Sequence, residues 1–272
     1  MRGGQIDGDM HPIGMNLQLD GKTALVTGST ARIGQAIAAA LAKEGASVIV
    51  NGRTEERTDK ARRASGAAHG IAADLSTEAG VRTVTERFPE VDILVNNLGI
   101  YEPKPFEKIS DGDWRRMFEV NVMSGVRLSR HYIGPMMRNN WGRIIFISSE
   151  SGLQIPVEMV HYGMTKTAQL AVSRGLAETT AGTGVTVNAV LPGPTESEGV
   201  TGLVERLSKE NGVERREFEH EFFEKGRPSS LLRRFIKPEE IASVVAFVAS
   251  PLAAAINGAS VRADGGVVRS IA

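Results

Sequence analysis

"TALVTGSTARIGQAIAAALAKEG", residues 23–45, sets the frame in which the rest of the chain is read. The run from Thr23 to Thr27 is apolar and β-rich, and reads as a short strand. Beyond it Ile33, Ile37 and Leu41 recur at the spacing of one helix face, and Gly45 supplies a stop. The turn between them carries Gly28 and Gly34. The first N–H groups of a helix lack partners and its dipole favours negative charge, so such a unit is a site for a pyrophosphate. One residue disturbs the pattern: Arg32 stands where a third glycine is expected. A helical φ there would admit the side chain without strain. The alternative is that the arginine obstructs the loop.

The same alternation continues along the chain. "SVIVN" (47–51), "GIAADL" (70–75), "VDILVNN" (91–97), "RIIFISS" (143–149), "GVTVNAVLPG" (184–193) and "ASVRADGG" (259–266) read as further strands. Helical patterns separate them, among them a long stretch from about Asp111 to Asn139, another over Val160–Ala181 and "PEEIASVVAFVAS" (238–250). The strands are mostly unbroken Val/Ile/Leu runs, as expected when both faces are buried by helices. The prediction is a doubly wound α/β fold of Rossmann type, with about seven parallel strands. Residues 1–19 read as a flexible extension and 20–272 as one domain. Residues 195–237 form a long charged stretch between strand and helix, and an insertion of that length points to a lid.

Composition narrows the function. Of 272 residues, 41% are apolar and 24% charged, with zero formal net charge, which offers no basic footprint for nucleic acid. There is no cysteine, hence no disulfide and no thiolate nucleophile. No apolar run approaches the roughly 20 residues that a membrane helix needs. The expected setting is the cytoplasm, without membrane or nucleic-acid partners. The histidines show no metal-ligand spacing, so no metal is expected. His161 reads as a packing or pocket-wall residue, and "DGD" (111–113) as a helix start. The arginines of the charged insertion (Arg206, Arg215, Arg216, Arg227, Arg233, Arg234) alternate with glutamates and read as a solvated helical surface.

"YGMTK" places Tyr162 and Lys166 four residues apart, on one face of a helix. Ser149 lies thirteen residues before the tyrosine, at the carboxyl end of a strand, the edge where open α/β sheets bind ligands. With these features in order, the chain resembles the short-chain dehydrogenase/reductase family over nearly all of residues 20–266. "TGSTARIG" stands at the cofactor loop, "ADL" at the adenine side, and "NNLG" (96–99) matches the family's NNAG with Leu98 for alanine. "EVNVMSG" with Asn121, "ISS", "YGMTK", "PGPT" (192–195) and "DGG" (264–266) complete the series.

The resemblance implies an oxidoreductase that interconverts a ketone and a secondary alcohol by hydride transfer. Asn121, Ser149, Tyr162 and Lys166 would be catalytic. Gly28, Ser29, Thr30, Arg32, Ile33, Gly34, Arg53, Asp74, Leu75, Asn97, Gly99, Pro192, Gly193 and Thr195 would hold the cofactor, together with Tyr162 and Lys166. A phenol ionises near pH 10, and an ammonium beside it favours the phenolate, so Lys166 is expected to lower the pKa of Tyr162. By resemblance, Asn121 would hold a helix kink and a water. Gly52 occupies the family position of the acid that binds the adenosine ribose in NAD enzymes, and Arg53 follows it. An arginine there can pair with a 2′-phosphate, which favours NADP(H), with NAD(H) the alternative. Relatives that prefer NADP carry a basic residue where this chain has Ala31, so Arg32 would displace that charge by one residue. The family implies a small carbonyl or alcohol substrate, with 3-oxoacyl thioesters among the candidates, and a homotetramer or homodimer. A non-catalytic nucleotide-binding sensor or scaffold is the competing class.

Overall fold

The computed structural model describes residues 16–196 and 215–271. Seven parallel strands form one sheet in the order β3-β2-β1-β4-β5-β6-β7. They are β1 (Thr23–Val26), β2 (Ser47–Gly52), β3 (His69–Ala72), β4 (Ile93–Asn96), β5 (Gly142–Ile147), β6 (Val185–Pro192) and β7 (Ser260–Ala263). The helices are α1 (Arg32–Lys43), α2 (Glu55–Ser65), α3 (Glu78–Arg87), α4 (Asp111–Phe118), α5 (Ser124–Arg138), α6 (Val160–Thr179), α7 (Arg215–Glu221) and α8 (Pro238–Ala249).

The unbroken apolar strands have the expected cause. Ala24 and Val26 pack on one side with Ile37 and Leu41 of α1 and Ile241 and Val245 of α8. Leu25, between them, packs on the other side with Val84 of α3 and Leu128 and Tyr132 of α5. Alternate residues of one strand therefore enter two cores, and neither face can be polar. The strand order reverses direction on either side of β1, so the carboxyl ends of β1 and β4 border a crevice.

Three features go beyond the sequence reading. Residues 17–19 do not belong to a flexible extension, because Leu19 is fully buried and Leu17 packs beside it in the first core; residues 1–15 lie outside the described residues. The long helix is interrupted by a π-helical turn over Glu119–Met123, between α4 and α5. The charged insertion is tied at its base, where Thr195 bridges Ile236 and Ile236 donates to the Pro194 carbonyl at 2.9 Å. Its described part is α7, a π-helical turn Phe222–Gly226 and a return segment, held by edge-to-face and tilted contacts among the rings of Phe222, Phe223 and Phe235. Arg206 lies outside the described residues.

Candidate active site

A cleft of about 700 Å³ runs across the carboxyl ends of the strands. Its first wall is the loop after β1. Gly28 has φ +59, and a Cβ there would stand 3.1 Å from the Leu98 backbone. A Cβ on Gly34 would collide with the Asn97 amide at 2.4 Å and the Gly28 carbonyl at 2.7 Å. Only glycine lets this turn close against the chain after β4. Arg32 departs from the benign case: its φ is +55, in the left-handed region. The arginine keeps a glycine's conformation, at a strain of about 1–2 kcal/mol. The loop is intact, and Thr30, Arg32 and Ile33 line the cleft.

The remaining cofactor expectations divide. Gly99, Pro192, Gly193 and Thr195 line the cleft, and a Cβ on Gly193 would sit 2.4 Å from the Asp264 carbonyl. Asn97 also lines it, but its amide braces the loop by donating to the carbonyls of Thr27 at 2.8 Å and Gly28 at 3.1 Å. Ser29 does not face the cleft: it is fully buried, donates to the Val26 carbonyl and accepts from the Asn51 N–H, tying β1 to β2. Asp74 and Leu75 lie outside the cleft lining. The Asp74 carboxylate turns onto Ser76, and Leu75 belongs to the second core.

The end of β2 decides the electrostatics of this wall. A Cβ at Gly52 would meet Thr30 at 2.3 Å and Thr58 at 2.7 Å, so no carboxylate fits there without displacing both. Arg32, Arg53 and Arg57 line the cleft instead, all three exposed. Among the described residues none of their guanidinium groups has an ion-pair or hydrogen-bond partner. Arg57, a turn further along α2, has no motif to mark it in the sequence. Open guanidinium groups of this kind fit a ligand that carries phosphate, as a dinucleotide does.

At the other end, Ser149 follows β5, and α6 delivers Tyr162 and Lys166. Lys166 is buried, with Nζ 5.6 Å from the centre of the Tyr162 ring. It donates to the Ile147 carbonyl at 2.9 Å and to Gln169 Oε1 at 3.1 Å. Gln169 in turn donates to the Asn121 main-chain carbonyl at 2.6 Å. Asn121 sits in the π turn, where its side chain accepts from the Ile100 N–H at 2.7 Å and donates to the Ile100 carbonyl at 2.9 Å and to Thr165 at 3.0 Å. It is buried and forms no part of the cleft wall. The π turn is the kink that holds it, a device frequent at functional sites. Gln169 carries the link from lysine to Asn121, a role the sequence left unmarked.

The titration of Tyr162 runs opposite to expectation. Burial pushes its phenol upward, and the Glu150 carboxylate adds to the rise, while hydrogen bonding with Ser149 opposes it. Lys166 is not what sets it. Burial pushes the lysine itself down to about 7, against the attraction of Glu150. Glu150, directly after Ser149, is 7% exposed; it accepts a hydrogen bond from the Ser149 hydroxyl and faces Arg227 of the insertion at 3.4 Å. Arg227 is 14% exposed and also reaches Glu158 at 3.4 Å. It turns into the cleft, contrary to the solvated reading. Arg215 and Arg234 do make surface pairs, with Glu196 and Glu240.

His161 is fully buried and packs edge-on against Trp114, as a packing residue does. "DGD" starts a helix: Ser110 and Asp113 form a reciprocal capping box. No helix among the described residues is long and apolar enough to cross a membrane.

The short chain dehydrogenase family model matches residues 22–208. The chain belongs to that family. It is 51% identical over 263 residues to the uncharacterized oxidoreductase YvaG of Bacillus subtilis, covering 94% of this chain and 100% of that one. It is 34% identical to the 3-oxoacyl-[acyl-carrier-protein] reductase FabG of Aquifex aeolicus, covering 93% and 100%. The structure of L-sorbose reductase from Gluconobacter frateurii, complexed with NADPH and L-sorbose, superposes with a TM-score of 0.87 at 30% identity, covering 94% and 100%. As a short-chain dehydrogenase the protein is an oxidoreductase.

Proposed function

We propose that the protein is an NADP(H)-preferring oxidoreductase that interconverts a ketone and a secondary alcohol, with Tyr162 as the proton donor and acceptor. One observation carries this reading. Ser149, Tyr162 and Lys166 gather at one end of a cleft whose other end presents Arg32, Arg53 and Arg57, without ion-pair partners among the described residues. The NADPH complex of the sorbose reductase supports the cofactor preference.

A bound nicotinamide supplies the hydride. The chain's own residues do the rest. Ser149 donates to the substrate oxygen and holds it beside Tyr162 as negative charge develops. The phenol of Tyr162, held protonated by its surroundings, delivers the proton to that oxygen. Lys166, held through Gln169 to the Asn121 carbonyl, would return a proton to the tyrosine. The first turn of α1 and Arg32, Arg53 and Arg57 would hold the phosphates.

The carrier-protein reductase relative supports a 3-oxoacyl thioester as substrate, and the sorbose reductase supports a hydroxylated ketone. Assembly as a cytoplasmic homo-oligomer belongs to the same reading, and sedimentation velocity checks the assembly. Fluorescence titration should give tight NADPH binding with a clear margin over NADH. Tyr162→Phe should lower kcat by about 10²–10⁴-fold with NADPH affinity kept. A nucleotide-binding scaffold would show binding and no Tyr162-dependent turnover of any ketone.

A further inference from the structure

The substrate half of the cleft contains a charge that the hydride-transfer machinery does not require. Glu150 is a carboxylate 7% exposed, one residue from Ser149 and within electrostatic reach of both Tyr162 and Lys166. A buried carboxylate is costly unless its oxygens are hydrogen-bonded. Oε1 faces Arg227 at 3.4 Å, a loose contact shared with Glu158. Oε2 is served by the Ser149 hydroxyl.

A serine hydroxyl has one proton. When Ser149 turns that proton to the substrate oxygen, Oε2 loses its donor inside the cleft. The substrate can restore the bond if it carries a hydroxyl next to the reacting carbon, because vicinal oxygens stand about a hydrogen bond's length apart. Ser149 and Glu150 would then read the two oxygens side by side. Charge points the same way. The Glu150 carboxylate stands directly beside Ser149, so it repels an anionic group on the carbon next to the carbonyl that Ser149 holds.

We propose that Glu150 is the specificity-determining residue of the substrate half, accepting a hydrogen bond from a hydroxyl on the carbon adjacent to the reacting one. The substrate class is the uncharged hydroxyketone and its vicinal diol, in preference to simple ketones, 2-oxo acids and 3-oxoacyl thioesters. This rests on the oxidoreductase reading above. Arg227 is a positioning residue, holding Glu150 from the insertion.

The test compares NADPH-dependent reduction of hydroxyacetone, butanone and pyruvate, which differ only in the group beside the carbonyl. Sites built to hydrogen-bond a substrate hydroxyl reject the analogue lacking it strongly, and the expected margin in kcat/KM is about 10²-fold or more for hydroxyacetone over both others. Glu150→Ala should reduce the margin over butanone to less than about tenfold. Glu150→Gln keeps an acceptor and drops the charge, so it should mainly weaken the rejection of pyruvate. Equal kcat/KM for hydroxyacetone and butanone in the unmodified protein overturns the proposal whatever the variants do. So does a preference for pyruvate, which would mean that Arg227 leaves Glu150 to bind a substrate carboxylate. If none of the three is turned over while another ketone is reduced in a Tyr162-dependent reaction, this proposal falls and the oxidoreductase reading stands.

Discussion

The two halves of the cleft solve opposite electrostatic problems. At the cofactor end Arg32, Arg53 and Arg57 are exposed and lack partners among the described residues, so their charge is available to an incoming polyanion. At the substrate end Arg227 is already engaged by Glu150 and Glu158, so its charge is not open to an incoming ligand. A field of one sign with open arginines attracts phosphate from a distance. A buried pair of opposite signs attracts nothing at long range; it discriminates at contact, through which hydrogen bonds a substrate completes. The cofactor half should therefore be sensitive to salt, and the substrate half to the presence or absence of a single hydroxyl.

The largest effect expected from breaking this contrast is at Arg53. If its guanidinium pairs with a 2′-phosphate, Arg53→Ala should weaken NADPH binding about 10–100-fold at low salt, the range for a charge-assisted bond, and leave NADH nearly unchanged. The ratio should shrink as ionic strength rises, because the site is exposed. Equal losses for both nucleotides, or none for either, would show that the preference is set elsewhere in the cleft.

A second, smaller effect concerns Lys166. Burial lowers its folded pKa to about 7, whereas an unfolded lysine titrates near 10.4. Between these values the unfolded chain binds the extra proton, so stability from this group rises with pH across the window and levels off below about 7. Thermal melts of the apo protein between pH 7 and 9.5 should show that rise. Lys166→Met should remove it and gain a few degrees relative to the parent at the acid end. Keeping below pH 10 leaves out Tyr162, whose raised folded pKa acts in the opposite direction as its unfolded form ionises. Parallel slopes for the two proteins would mean that water or a rotamer change solvates the ammonium.

How much of this was legible in the sequence depends on range. The strands were, because burial on both faces leaves an unbroken apolar run, as in Val48–Val50. Ser149, Tyr162 and Lys166 were, because a strand end and one helix face fix their placement. The inward turn of Arg227 was not. Its partner Glu150 is 77 positions away, and the contact depends on how a charged insertion folds back over the cleft. Alternating Arg and Glu looks the same in a solvated helix and in a buried pair. Gln169 is likewise an ordinary helix residue until the π turn brings the Asn121 carbonyl to it. Ser29 and Leu75 show the opposite limit: both lie in matched motifs, yet one ties strands together and the other fills a core.

The finest distinction lies within the cofactor half, at Arg32. Arg53 and Arg57 follow β2 in ordinary conformations, whereas Arg32 holds its charge in the left-handed region at φ +55. Glycine in its place would relieve about 1–2 kcal/mol of strain and give back part of that as extra freedom of the unfolded chain. Arg32→Gly should thus raise the Tm of the apo protein by about 1–4 °C for a chain of this size. If the side chain also faces a phosphate, the same variant should bind NADPH several-fold more weakly and with a shallower salt dependence. The two measurements separate two explanations for the strained residue. A gain in Tm with weaker binding means that the conformation is held for the ligand. A gain in Tm with affinity and salt dependence unchanged would sink the phosphate role, and leave Arg32 a strained substitution in a loop that holds its shape without a third glycine.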